Sequence, residues 1–163
     1  MWWQPKLRAW HGRLYSGPGP GMEVHAGGFL RRREIVVDDA LQNNSGELAR
    51  ILAHEVFHFV WLRLGNRRRQ DWEQVLYDEL ARRAHGELGW SAEWRKLRLT
   101  VPDASGRSRR WREYACESFC DTAAWVYAGQ CGHPEFTLKA QFQSTRREWF
   151  DTLACHETAG FRV

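Results

Sequence analysis

The stretch Asn43-Asn44-Ser45-Gly46-Glu47-Leu48-Ala49-Arg50-Ile51-Leu52-Ala53-His54-Glu55-Val56-Phe57-His58-Phe59-Val60-Trp61-Leu62-Arg63-Leu64-Gly65-Asn66 decides how the chain folds. Asn44 with Glu47 three residues on has the form of a capping box, which starts a helix. Gly65-Asn66 is a stop signal, so the spacing predicts a helix from about Ser45 to Leu64. Between Ile51 and Leu62 the only polar side chains are His54, Glu55 and His58. A helix apolar around most of its surface is buried. Buried imidazole or carboxylate is costly unless it is paired or bound to a metal.

The spacing supplies the partner. Residues four apart on a helix stand one turn above each other, so His54 and His58 can reach one ion from the same face. Glu55 lies about 100° around the helix, where it can reach a water on the ion without being a ligand. This is the H-E-x-x-H arrangement of zinc peptidases. It implies Zn2+ as cofactor, Glu55 as general base and a peptide or protein as substrate.

A catalytic zinc takes three protein ligands and a water. A G-x-x-H extension would place glycine at 61 and histidine at 64, but Trp61 and Leu64 stand there. The better source is a second helix expected over Trp111 to Ala128, where Glu113, Glu117 and Asp121 form a stripe spaced by four. Glu117 and Asp121 sit among Phe119, Ala123, Trp125 and Val126. Two buried carboxylates one turn apart repel unless a cation or histidine lies between them. Glu117 is therefore the expected third ligand. Asp121 is expected to accept the other ring N–H of a ligand histidine. Cys116 and Cys120 are rival ligands, expected on a different face. For the oxyanion, Tyr114, Tyr127, His133 and Arg112 are candidate donors, with Tyr114 carried as the site residue.

The pair His54-Glu55-Val56-Phe57-His58 and Glu117-Ser118-Phe119-Cys120-Asp121 resembles the gluzincin pattern, H-E-x-x-H followed by E-x-x-x-D. The chain is similar in size to the minimal single-domain gluzincins. It also resembles the regulatory peptidases of the ImmA/IrrE type. The resemblance covers about residues 45–128 and rests on these two motifs. It implies a zincin-like fold.

The rest of the chain is read around these helices. Met22 to Ala26 and Phe29 to Asp38 are strand candidates flanked by glycine-rich turns. The edge of the strand ending in Ile35-Val36-Val37 is the expected dock for a substrate strand. Further helices are expected over Gln70 to His85, Ser91 to Leu97 and Phe136 to Cys155, with a loop over 102–109. The order predicts one α+β domain over 1–163, a small N-terminal β-sheet packed on a mainly helical zincin-like body. With 43% hydrophobic and 27% charged residues, a disordered chain is excluded. The net charge is +4, carried by arginine runs at 31–33, 67–69, 107–112 and 146–147. Because 20 acidic residues accompany them, the runs read as a salt-bridged surface rather than a nucleic-acid partner site.

No apolar run is long enough to span a membrane. Met1 to Lys6 lacks the form of a signal peptide. The expected location is the cytoplasm, with Cys116, Cys120, Cys131 and Cys155 as buried, reduced thiols. The rival reading is a non-catalytic, zinc-stabilised regulatory protein that uses the arginine runs on nucleic acid. Glu55 argues against it, because a structural zinc has no use for that carboxylate.

Overall fold

The computed structural model describes residues 1–130 and 132–156. Its fold is α+β, with the strands N-terminal and the helices following. The strands are β1 (Trp2–Gln4), β2 (Leu7–Trp10), β3 (Arg13–Ser16), β4 (Met22–Glu23), β5 (Ala26–Phe29) and β6 (Glu34–Asp38). They form two small sheets, ordered β1-β6-β5 and β3-β2-β4. β6 pairs in parallel with β1 and antiparallel with β5. The Ile35-Val36-Val37 strand is thus central, with both edges used. This corrects the expectation that it offers an edge to substrate: the edge strands among the described residues are β1 and β5, and β5 is the one that packs on α1. The Asp38 carboxylate ties the sheets together by accepting from the Leu7 N–H at 2.7 Å.

The helices are α1 (Ser45–Arg63), α2 (Asn66–Ala81), α3 (Trp90–Lys96), α4 (Val101–Ser105), α5 (Arg109–Tyr127) and α6 (Ala140–His156). Asn44 caps α1 by accepting from the Glu47 N–H at 3.1 Å. The Glu47 carboxylate does not complete the box. It turns to Arg50, one of the few charged side chains buried in this part of the molecule. α2 starts earlier than expected because Gly65, read as a stop for α1, also serves as its N-cap. The expected loop over 102–109 contains α4. Thr100 donates its N–H to the Asp103 carboxylate at 2.9 Å, and Pro102 lies in the first turn, where its missing N–H costs nothing.

α1 packs along α5. Between them and α6 lies the core, where Phe57, Trp72, Phe119 and Phe150 meet ring to ring. Buried tryptophans keep their N–H groups bonded, as they must: Trp72 donates to the Ala115 carbonyl and Trp111 to Glu73, both at 3.0 Å.

One arginine of the supposed surface runs is not on the surface. Arg146 is fully buried and forks onto Glu79 and Glu87, each at 2.7 Å. Lys96 joins Glu87 at 2.9 Å. Burial pushes the Glu87 carboxyl up, but Arg146 and Lys96 outweigh it and hold it at about 2. Arg109 pairs with Glu113 on the surface, whereas the partly exposed Arg107 reaches inward to the buried Glu73. No described helix is long and apolar enough to cross a membrane.

Candidate metal centre

α1 and α5 bring His54, His58 and Glu117 to one point. His54 Nε2 lies 3.2 Å from His58 Nε2 and 3.3 Å from Glu117 Oε2. His58 Nε2 lies 3.9 Å from the same oxygen. Bonds of 2.0–2.1 Å in a tetrahedral zinc site put ligand atoms about 3.3 Å apart. Two of the three separations match that value and the third is about half an ångström longer. The donor set, two imidazoles and a carboxylate, suits zinc and leaves a fourth position open.

Asp121, one turn beyond Glu117, puts Oδ1 2.7 Å from His54 Nδ1. Its Oδ2 accepts from the Ala92 N–H at 2.9 Å. That bond leaves Nε2 as the metal-facing nitrogen of His54. Arg95 on α3 holds the second oxygen of Glu117, with Nη2 3.0 Å from Oε1. The electrostatics are those of paired opposite charges. Burial works against a charged His54, but Asp121 and Glu117 outweigh it and raise its pKa well above the ordinary imidazole value. Burial likewise opposes ionisation of Glu117, yet His54, His58 and Arg95 bring it down to about 2.

Glu55 is buried at the floor of a cleft lined by Gly27, Gly28, His54, His58, Arg95 and Glu117. It is not one of the three converging donors. β5 runs over it: a Cβ on Gly28 would stand 3.0 Å from Glu55 Oε2. Glycine there lets the strand approach the carboxylate.

Other expected residues lie elsewhere. Tyr114 is fully buried, and its hydroxyl donates to Glu87 Oε1 at 2.6 Å in the ionic cluster with Arg146. It lies about 60° around α5 from Glu117, and its bond to Glu87 holds the hydroxyl in the core, away from the cleft. Tyr127 stacks on Phe57, His133 lies 3.3 Å from Glu47, and Arg112 is exposed beside the Arg107 carbonyl. Glu113 is half exposed and pairs with Arg109 at 2.7 Å.

Cys116 and Cys120, expected on a different face from Glu117, both reach His58. Their sulfurs lie 3.5 and 3.4 Å from His58 Nδ1. The Cys120 thiol and then His58 draw the Cys116 thiol down to about 6, against its burial. Burial pushes the Cys120 thiol up. Cys155 is exposed, contrary to expectation, and Cys131 lies outside the described residues.

Nothing in the sequence marks Arg95, Gly28 or Gly89 as part of the site. A helix over Ser91 to Leu97 is legible, but nothing local says that its arginine meets a carboxylate on a distant helix. No family model, curated protein or solved structure matches this chain.

Proposed function

We propose that this chain is a zinc-dependent peptidase of the gluzincin kind. The observation that carries the reading is the position of Glu55. It shares a cleft with three converging donors near zinc spacing, is not one of them and lies against Gly28 of the edge strand β5. His54, His58 and Glu117 would hold the zinc ion, which would supply Lewis acidity and a water of lowered pKa.

The chain's own residues do the rest. Asp121 fixes the ring of His54, and Arg95 fixes Glu117. Glu55 takes a proton from the attacking water and hands it to the leaving amine. Arg95 replaces Tyr114 as the donor to the developing oxyanion. It lines the cleft beside Glu117. The substrate, a peptide or protein segment, lies extended along β5, bonded through its main chain. A reducing compartment, the cytoplasm, suits the thiols beside His58.

The test is cleavage of a proteome-derived peptide mixture, read by mass spectrometry. New termini that appear with the zinc-loaded protein, vanish with chelator and return with added zinc support the reading. A zinc-loaded protein that produces no new termini contradicts it.

A further inference from the structure

We propose that His58, Cys116 and Cys120 form a second metal site, for zinc or a softer thiophilic ion, on the far side of the His58 ring. The ring is presented by two faces of the structure at once. Its Nε2 meets His54 and Glu117, and its Nδ1 meets two sulfurs at 3.5 and 3.4 Å. A tetrahedral ion with bonds of about 2.0–2.1 Å to nitrogen and 2.3 Å to sulfur separates those atoms by about 3.6 Å. Both sulfur–nitrogen distances lie close to that value, and the three donor atoms fall within 4.8 Å of one another.

A ring N–H needs only one acceptor, and a neutral thiol is a weak one. Two thiols converging on one nitrogen exceed what hydrogen bonding to His58 requires. His54 shows the contrast, since its Nδ1 has a single carboxylate oxygen at 2.7 Å. The thiols come from positions one turn apart on α5, as ligands on one helix face do. Thiolate and imidazole together select zinc or copper(I) over magnesium or calcium. Cys120 is fully buried and Cys116 partly so, which keeps the site dry apart from the Cys116 side.

Binding forms two metal–sulfur bonds and one metal–nitrogen bond. Both thiol protons leave to solvent; the ring binds through Nδ1 as the Nε2–H tautomer, an imidazolium releasing one proton to reach it, and nothing is oxidised or reduced.

The test is a cobalt(II) titration of the full-length apo protein in reducing buffer. The wild type should develop a near-ultraviolet thiolate-to-cobalt charge-transfer band. His54→Ala should keep the band, and Cys116→Ser/Cys120→Ser should lose it while still binding cobalt. A wild type without the band overturns the proposal, and so does a band that survives in the double variant. A second measurement needs no variant. Zinc should slow alkylation of Cys116 by iodoacetamide at least about tenfold while leaving exposed Cys155 unchanged. Equal slowing of neither or both contradicts the site. The readouts are independent of hydrolysis. A band without peptidase activity sinks only the proposed function, and activity without a band sinks only this site.

Discussion

Gly89 lies so close to Asp121 that a Cβ added to it would fall 2.3 Å from the carboxyl carbon. The backbone there is extended, so glycine is needed for space and not for its dihedral freedom. The contact seats Asp121 between the Ala92 N–H and His54. Gly89→Ala should therefore act as a mutation of the metal site, although it touches no ligand.

The zinc affinities of five variants should rank accordingly, measured by chelator competition in a Cys116→Ser/Cys120→Ser background. Glu117→Ala and His54→Ala should lose most of the affinity. Asp121→Ala and Gly89→Ala should lose roughly 10- to 100-fold, the scale for partners of ligand histidines. Glu113→Ala should change little, because Glu113 only pairs with Arg109 on the surface. A larger loss in Glu113→Ala than in Glu117→Ala would reverse the ligand assignment.

Gly28→Val should damage activity without removing zinc. Its side chain would crowd Glu55 Oε2 and the free edge of β5. Displacing a catalytic group by about an ångström costs up to about 10²-fold, so kcat/KM should fall between about 10- and 100-fold. Unchanged kinetics with zinc retained would remove β5 from the substrate path.

Arg95→Ala should lower kcat more than it raises KM, by about 10²-fold or more, as loss of an oxyanion donor does. Tyr114→Phe should leave both unchanged. A variant pair with the reverse pattern returns the oxyanion role to Tyr114.

Tyr114→Phe and Arg146→Ala should instead act on stability, read by urea denaturation. Removing the Tyr114 hydroxyl from a charged acceptor should cost about 1.5–3 kcal/mol. Removing Arg146 strands Glu79 and Glu87 in the interior and should cost about 3–5 kcal/mol. The pH dependence follows from Glu87, whose carboxyl drops from an ordinary 4.5 to about 2 in the fold. A lowered folded-state pKa contributes stability that is present above 4.5 and lost as pH falls toward 2. Wild-type stability should decline through that window, and Arg146→Ala should show a weaker decline. Equal slopes would remove Glu87 as the cause.

The two motif helices were legible because their signals are local. Asn44 announces the start of α1, and His54, Glu55 and His58 stand out against an apolar face. The Glu117 and Asp121 pairing could be reasoned from charge repulsion alone. What was not legible depends on contacts far apart in sequence. β1 is too short to show periodicity, and it is a strand because β6 pairs with it. For that reason the β6 edge looked free when it was not. Tyr114 was credited to the cleft because helix position alone does not reveal that Glu87, 27 residues away, waits in the core. Arg146 looked like surface charge for the same reason. Helix spacing sets the thiols apart from Glu117 but does not reveal that both sulfurs reach the second ring nitrogen of His58.

Glu55→Gln tests the central claim most directly. Zinc content and peptide cleavage should be measured on the same samples of wild type and variant. Equal zinc with cleavage lost by at least about 10²-fold, the scale of general-base catalysis, is the predicted result. A zinc-loaded Glu55→Gln protein that cleaves at the wild-type rate would contradict the account.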